Sequence, residues 1–159
     1  MLSCRIVQEM NILFYRSIAH CMPAKDVFHD TAKNALIKDG WTITDDPLTI
    51  RYDDVDMYAD LGAEKLFAAE NAGTKIAVEV KSFVAMSFVS EFHKAIGQFL
   101  DYRVALEEIA PDRALFLGIP LDAYHAFFRK RFAQTVMQRF EIALMIFDVK
   151  KEEIVQWIK

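Results

Sequence analysis

The spacing of apolar residues predicts a helix and a short strand early in the chain. From Ala24 to Asp39, apolar side chains recur three or four positions apart, as on one face of a helix, and Gly40 is typical of the position just beyond a helix end. Trp41 to Thr44 alternates like a strand, and Asp45 to Pro47 is a turn signal. We interpret the next segment, Leu48 to Val55, as a loop.

The middle of the chain predicts a β-hairpin followed by a long helix. Tyr58 to Ala68 and Lys75 to Lys81 have strand character, and the residues Asn71 to Gly73 between them favour a turn. Ser87 can cap a helix that runs to about Ile109, and Pro111 closes it. The apolar positions of this helix suit packing against a sheet.

The last third of the chain predicts three more strands and one more helix. Ala114 to Ile119 is typical of a buried strand, Asp122 to about Gln138 of a helix, and Ile142 to Phe147 and Ile154 to Ile158 of two final strands. Helices and strands thus alternate along the chain. This order predicts an α/β fold, a mixed sheet flanked by helices.

Composition and charge limit the class of protein. The 159 residues are 53% hydrophobic and 26% charged, which is typical of one globular domain. With a formal net charge of -4, the chain has no overall positive field that would draw it to nucleic acid, so any DNA contact must be local. The densest basic cluster is Arg129, Lys130 and Arg131, for which a solvated helix face or turn is the alternative interpretation.

The first residues suggest where the protein resides and where its domain begins. Cys4 and Cys21 are the only cysteines and fit no zinc-binding pattern, which favours a reducing, cytoplasmic setting. The opening segment is interrupted by charged residues and predicts neither a signal peptide nor a membrane span. We expect Met22 to be an alternative start, residues 1–21 to be an appendage, and residues 22–159 to form the domain.

Candidate chemistry lies in the predicted hairpin. Side chains two apart in a strand share a face, so Glu79 and Lys81 point one way while Val78 and Val80 point the other. A hairpin could bring Asp60 close to Glu79, although sequence does not fix the register. Two carboxylates suit Mg²⁺, with the Val80 carbonyl as a further ligand, and such a site could act on a phosphodiester. The alternative is an ion pair between Glu79 and Lys81 with a structural role only.

These residues resemble a known nuclease signature. Asp60, Glu79 and Lys81 after a first helix are similar to the motif of the PD-(D/E)XK nuclease superfamily, whose restriction-endonuclease-like core has the order α-β-β-β-α-β. More specifically, several segments resemble the XisH family, the fdxN-element excision controlling factors: MPAKDVFHDTAKNALIKDGWTIT, DLGAEKLFAAE, KIAVEVKSF, AIGQFLDYR and IVQWI. The resemblance covers Met22 to Lys159.

The resemblance implies roles for individual residues. Asp60 and Glu79 would bind Mg²⁺ or Mn²⁺, and Lys81 would be the catalytic lysine. Gln98 and Tyr102, one turn apart on the helix after the hairpin, match residues that line such sites in many nucleases of this type. The chain departs from many relatives at one position, where a first-helix glutamate is replaced by a histidine that could orient water, contact phosphate or bind a metal, His29. Candidate DNA contacts are the basic residues Lys33, Arg129, Lys130 and Arg131.

The resemblance also implies a function and partners. The expected function is control of the excision of a DNA element, with metal-dependent cleavage of DNA by this chain, a site-specific recombinase and an XisI-like companion protein as partners, and no membrane. One alternative is a non-catalytic DNA- or protein-binding module on a nuclease fold. Another is an unrelated α/β domain in which the charges are structural. Whether the chain forms a homo-oligomer stays open.

Overall fold

The computed structural model describes residues 26–59, 61–65 and 73–159. The helices are α1 (His29–Lys38), α2 (Phe88–Ile109), α3 (Leu121–Ala123) and α4 (Arg131–Arg139), and a π-helical turn, Tyr124–Phe128, follows α3. The strands are β1 (Thr42–Asp45), β2 (Leu48–Tyr52), β3 (Val55–Ala59), β4 (Leu61–Lys65), β5 (Thr74–Val80), β6 (Arg113–Pro120), β7 (Leu144–Asp148) and β8 (Glu153–Ile158).

Six of the strands form one mixed sheet in the order β1-β4-β5-β6-β7-β8. The pairs β1/β4, β4/β5 and β7/β8 are antiparallel, whereas β5, β6 and β7 are parallel to one another. The strands β2 and β3 pair only with each other, as a hairpin between β1 and β4. Without that hairpin, the order of elements from α1 to β6 is the expected α-β-β-β-α-β.

Both faces of the sheet are covered, which confirms the predicted α/β fold with helices against a mixed sheet. On one face, Ala77 and Leu117 belong to a core that includes residues of α2, α4 and the β2–β3 hairpin. On the other face, Val78 and Val80 pack in a second core with residues of α1. The parallel strands are buried on both sides, as parallel sheets usually are. In the part of the chain that is described, no helix is long and apolar enough to cross a membrane.

The first helix starts later than predicted and ends where predicted. Asp26 precedes it in a turn, where its carboxylate accepts a hydrogen bond from the Phe28 N–H at 2.9 Å, and regular helix begins only at His29. At the other end, Gly40 has a positive φ of 86°. The Gly40 N–H donates to Ile37 O and the Trp41 N–H donates to Leu36 O, which is the Schellman arrangement that ends many helices at glycine.

Two predictions around the β2–β3 hairpin are wrong. Leu48 to Val55 is not a loop but contains β2 and the start of β3, and the continuous strand predicted from Tyr58 is divided between β3 and β4, which lie in different sheets. The turn between β2 and β3 uses Asp53 at a φ of 55° instead of a glycine, so it lacks the usual sequence signal. Ile50 of β2 is 1% exposed, which shows that burial against the main domain holds the hairpin.

The helix predicted from Asp122 to Gln138 is interrupted. After α3, the π-helical turn places both Phe127 and Phe128 in the core, and Lys130 then has an extended backbone before α4 begins. The Gln134 side chain donates a hydrogen bond to Phe128 O at 2.6 Å, so it satisfies a carbonyl that the break leaves outside a regular helix. The burial of two adjacent phenylalanines, which a regular amphipathic helix does not provide, explains the break.

Candidate functional site

The charges of the predicted hairpin lie at the end of a buried strand. Residues Ile76 to Val80 of β5 are all buried, and Glu79 is 2% exposed. Lys81 follows the last residue of β5, and its N–H donates to Gly118 O of β6 at 2.9 Å, which extends the pairing of these strands by one residue. The Lys81 Nζ lies 2.8 Å from Glu79 Oε1. A carboxylate and an ammonium thus meet where β5 ends.

Glu79 lies on the face of β5 opposite to Val78 and Val80, as predicted, but its own face also packs in an apolar core. Val78 and Val80 pack in the core beside α1, while Ala77 belongs to the core beside α2. Because side chains alternate along a strand, Glu79 points to the same side as Ala77. Burial of a carboxylate is costly unless it is paired, and the contact with Lys81 offsets part of this cost. The predicted ion pair is present, and it does not exclude a chemical role for the same two groups.

The second predicted acid, Asp60, lies outside the described residues. The strands beside it are described, and β4 and β5 form the predicted antiparallel hairpin. Its register pairs Leu61, the residue after Asp60, with Val78, the residue before Glu79. The roles of Asp60 and of the Val80 carbonyl as metal ligands therefore stay predictions.

The donor groups suit a hard cation only in part. Within residues 26–59, 61–65 and 73–159, no three His, Cys, Asp or Glu side chains are grouped as metal ligands. Glu79 supplies one buried carboxylate, and Mg²⁺ commonly takes one or two carboxylates together with waters and substrate phosphates. The described groups therefore fit a metal that is bound partly by waters and substrate oxygens better than a metal bound by protein ligands alone.

Gln98 and Tyr102 lie one turn apart on α2, as predicted. Tyr102 is buried in the core between α2 and the sheet, on the same face of the sheet as Ala77. Gln98 is half-buried. Both residues belong to the helix that covers the face to which Glu79 points, and their roles at a substrate stay predictions.

His29 and Lys33 share one partner. His29 Nε2 lies 2.7 Å from Asp46 Oδ1, and Lys33 Nζ lies 2.9 Å from Asp46 Oδ2. Burial opposes the ionisation of Asp46, but the contacts with Lys33 and His29 outweigh it and hold the pKa of this carboxyl below its ordinary value. The hydrogen bond to Asp46 raises the pKa of Lys33 in turn.

This network favours a structural role for His29. The side chain is 2% exposed, and its contact with Asp46 joins α1 to the turn after β1. Lys33 remains half-exposed, so the predicted DNA contact would compete with its ion pair to Asp46. The roles of both residues at a nucleic acid stay predictions.

Sequence reasoning missed the residue that joins the first helix to the end of β5. The Asp26 carboxylate accepts the Phe28 N–H through one oxygen and the Ser82 N–H through the other, at 2.9 and 2.8 Å. Ser82 is buried and directly follows Lys81. An aspartate before a helix is a common capping signal, but the sequence gives no sign of a partner so far along the chain.

The predicted basic residues Arg129, Lys130 and Arg131 are all exposed, at the junction of the π-helical turn with α4, which begins at Arg131. The Lys130 ammonium lies over the Phe127 ring at 5.7 Å from its centre. A chain of ring contacts joins Phe127 to Phe88 at 5.9 Å and Phe88 to Phe83 at 6.2 Å. Packed aromatic rings thus extend from Lys130 to Phe83, which lies two residues after Lys81 in the sequence.

Comparison with known proteins identifies the family. Over residues 22–155, the sequence matches the family described as XisH protein. The chain belongs to the XisH family. The resemblance that the sequence segments indicated is thereby confirmed at the level of this family.

Two crystal structures resemble this XisH-family protein. An XisH family protein from Nostoc punctiforme is 46% identical and superimposes with a TM-score of 0.77 over 84% of this chain and 100% of its own. A fdxN element excision controlling factor protein from Anabaena variabilis is also 46% identical, with a TM-score of 0.76 over 85% of this chain and 100% of its own. No curated protein matches the sequence.

A cavity adjoins the candidate site of this XisH-family protein. It has a volume of about 460 Å³ and lies where the parallel strands β5, β6 and β7 end. Ser82, Phe83, Pro120 and Asp148 are among the residues that line it. Ligands of open α/β sheets commonly bind beyond the carboxyl ends of the strands, so this edge of the sheet has space for a ligand, although neither Glu79 nor Lys81 lines the cavity.

Proposed function

We propose that this XisH-family protein controls the excision of a DNA element by acting as a metal-dependent endonuclease centred on Glu79 and Lys81. The observation that carries the proposal is the buried Glu79 carboxylate 2.8 Å from the Lys81 ammonium at the end of a core strand. The role in excision comes from the similar fdxN element excision controlling factor protein of Anabaena variabilis. The order α-β-β-β-α-β supports a PD-(D/E)XK fold.

The chemistry assigns a separate part to each group. A Mg²⁺ or Mn²⁺ ion held by Glu79 and Asp60 would supply a Lewis acid for the scissile phosphate. The Lys81 ammonium stabilises negative charge on the phosphoryl oxygens as it develops. The support for Asp60 is the register of β4 and β5, which pairs its neighbour Leu61 with the neighbour of Glu79, Val78.

The partners follow from the same proposal. DNA is the substrate, and the exposed residues Arg129, Lys130 and Arg131 are the proposed contacts to its phosphates. An XisI-like companion protein and a site-specific recombinase complete the excision reaction. The chain's own contribution is to hold and cut, or nick, the DNA at the element.

A second candidate is a DNA- or protein-binding module without catalysis. Two observations favour it. The Lys81 ammonium is engaged by Glu79, and His29, where many relatives have glutamate, is engaged by Asp46. In this candidate the ion pair at the end of β5 only stabilises the fold, and excision is controlled by binding alone.

The experiment that separates the two candidates is a cleavage assay. The purified protein, alone and with an XisI-like partner, is incubated with supercoiled and branched DNA in the presence of Mg²⁺, Mn²⁺ or EDTA. The variants are Glu79→Gln and Lys81→Ala, and the matched control is Glu107→Gln, which alters an exposed glutamate of α2. Circular dichroism checks that each variant is folded.

The expected result is nicking or cleavage that needs the metal, is lost in both site variants and persists in Glu107→Gln. Loss of one positioned charge in a phosphoryl-transfer site lowers the rate by about 100-fold or more. Cleavage that persists in folded Glu79→Gln would contradict the assignment of this residue. Binding of DNA without any metal-dependent cleavage would support the non-catalytic module.

A further inference from the structure

The segment from Tyr124 to Phe140 has a charge that differs from the rest of the chain. It contains Arg129, Lys130, Arg131 and Arg139 and no Asp or Glu, whereas the whole chain has a formal net charge of -4. Three of the four cations are consecutive and exposed at the start of α4. Positive potential is therefore concentrated at one place on an acidic protein, which is where a polyanion would be attracted.

An exposed aromatic side chain lies directly beside these cations. Phe132 follows Arg131, and 54% of it is exposed although phenylalanine is usually buried. Its ring contacts the ring of Phe92 of α2, with the centres 6.0 Å apart. This contact leaves much of the Phe132 side chain open to solvent.

A cationic surface with an open aromatic ring is suited to unpaired nucleotides. Phosphate contacts from Arg and Lys do not distinguish single strands from duplexes by themselves. An aromatic ring beside these cations does distinguish single strands from duplexes. An unpaired base can stack on the ring, whereas the bases of an intact duplex stack on one another. An acidic protein surface would be attracted by the same cations, but it would gain nothing particular from the ring.

The position of this surface connects it to the candidate cleavage site. Phe92, the partner of Phe132, also contacts Phe127 at 5.2 Å, and Phe127 leads through Phe88 to Phe83. This path ends two residues from Lys81. The aromatic contacts of Phe132 thus continue through the core to the segment that follows Lys81.

We infer that Arg129, Lys130, Arg131 and Phe132 form a binding surface for single-stranded or unpaired DNA. The inference deepens the proposed function and rests on it, since it specifies that the substrate has unpaired nucleotides, as at a branch, flap or gap. Arg131 and its neighbours bind the phosphates, and Phe132 stacks with one unpaired base.

The first test measures DNA binding in EDTA, so that its outcome does not depend on cleavage. Fluorescence anisotropy of labelled oligonucleotides compares a single strand, a duplex and a duplex with a short single-stranded gap. We expect tighter binding of the single strand and of the gap than of the duplex. Phe132→Ala and Phe132→Leu should weaken single-strand binding by about 5-fold to 150-fold, the range for loss of one stacked base, with little change for the duplex.

The variants separate stacking from folding. Phe132→Leu keeps an apolar side chain against Phe92 but has no ring, whereas Phe132→Tyr keeps the ring and should bind like the original protein. Phe140→Ala is the matched control, because Phe140 is also an exposed aromatic beside an arginine but lies at the other end of α4. Thermal unfolding of each variant shows whether a loss of binding reflects a loss of structure.

A second readout locates the contact. A single strand with 5-iododeoxyuridine is crosslinked by light, and the adduct is mapped after digestion with trypsin. We expect the adduct on the peptide FAQTVMQR, which begins at Phe132. An adduct elsewhere would overturn the assignment.

Other outcomes would also overturn the inference. They are equal affinity for single strand and duplex, equal losses in Phe132→Ala and Phe140→Ala, or binding of an acidic polypeptide in place of DNA. Failure of the proposed nuclease gives a different result, in which the preference for single strands and its dependence on Phe132 persist but Mg²⁺ or Mn²⁺ causes no cleavage.

Discussion

The Lys81 ammonium lies 2.8 Å from the Glu79 carboxylate. The contact connects a buried side chain near the end of a core strand, Glu79, with a partly exposed one, Lys81. Glu79 is buried, whereas the Lys81 side chain is 27% exposed. The two partners therefore differ in what they lose when the other is removed. A lysine without its glutamate can extend into water, but a buried carboxylate without its lysine stays in a medium that solvates charge poorly.

We predict that Lys81→Met destabilises the protein more than Glu79→Gln does. Lys81→Met keeps the aliphatic stem but removes the ammonium that lies 2.8 Å from the buried carboxylate, which we expect to lower the free energy of unfolding by up to about 3 kcal/mol. Glu79→Gln should cost less, because its amide can still accept a hydrogen bond from Lys81. Urea unfolding at pH 7 of both variants and of the double variant measures these changes.

The double variant gives the decisive comparison for this pair. Since each single change removes the same ion pair, the loss in Glu79→Gln/Lys81→Met should be smaller than the sum of the two single losses by about 0.5–3 kcal/mol. Arg51 and Asp56 provide a matched exposed pair, with atoms 3.4 Å apart, for which coupling should be near zero. Additive losses at Glu79 and Lys81 would show that the buried ion pair contributes nothing to stability.

Local signals in the sequence account for the parts of the fold that were predicted. Gly40 ends α1, and the Ser87 side chain accepts a hydrogen bond from the Ser90 N–H at the start of α2. Each of these two residues lies within a few residues of the helix whose end it marks. The separation of Val78 and Val80 from Glu79 follows from strand geometry alone. These features depend on neighbours in sequence, which one chain is sufficient to reveal.

The parts that were not predicted depend on distant partners or unusual turns. The β2–β3 hairpin was missed because Asp53, at a φ of 55°, takes the place that glycine usually occupies. The Asp26 carboxylate binds the Ser82 N–H, and Asp46 joins two side chains of α1. The hydrophobic pattern of the sequence does not indicate such contacts, because a polar segment that contains a carboxylate has the same pattern whether or not the carboxylate has a distant partner.

Acid should weaken the protein partly through Asp46. The pKa of this carboxyl is lowered in the folded state, so its contribution is fully present above the ordinary value of 3.8 and is lost as the pH falls through the lowered folded pKa. We predict that Asp46→Asn is less stable than the original protein near neutral pH and loses less stability on acidification. Its loss at neutral pH should be about 1–3 kcal/mol, because the buried His29 loses its charged partner.

The measurement is the free energy of unfolding from pH 7 to pH 3. Asp45→Asn is the control, since Asp45 is exposed and adjacent in sequence. A steep acid-induced fall of equal size in the original protein, Asp46→Asn and Asp45→Asn would contradict the role assigned to Asp46.

At high pH, stability should fall as the pH rises, because Lys33 loses its proton. The pKa of Lys33 is raised in the folded state, so its contribution to stability persists up to the ordinary value of 10.5 and is lost above it.

Two glycines should respond in opposite directions to the same substitution. Gly40 has a φ of 86°, which strains an alanine, so Gly40→Ala should lower the free energy of unfolding by about 1–2 kcal/mol. Gly97 lies within α2, and a Cβ added there has no heavy atom within 4 Å outside its local helix. Gly97→Ala should therefore raise the free energy of unfolding by about 0.5–1 kcal/mol. Thermal and urea unfolding of both variants check the signs, and a stabilising Gly40→Ala would contradict the described helix end.

The last prediction concerns Asp26, whose two oxygens accept the N–H groups of Phe28 and Ser82. Asp26→Ala leaves both donors without this acceptor, and the buried Ser82 amide makes the loss costly, about 1–3 kcal/mol in the free energy of unfolding. Asp26→Asn should lose less, since its amide oxygen can still accept one of the two bonds. Asp30→Ala, at an exposed position of the first turn of α1, is the control.

Amide hydrogen exchange then shows where the effect of Asp26 is felt. Protection of the Ser82 amide should fall in Asp26→Ala and persist in Asp30→Ala, because only the first change removes its acceptor. Ser82 follows Lys81 directly, so loosening it also frees the backbone that positions the Lys81 ammonium. If the proposed cleavage is observed, Asp26→Asn should therefore lower kcat more than it raises KM, with the metal requirement unchanged. A loss of stability with unchanged kcat would mean that Asp26 supports the fold and has no part in positioning Lys81.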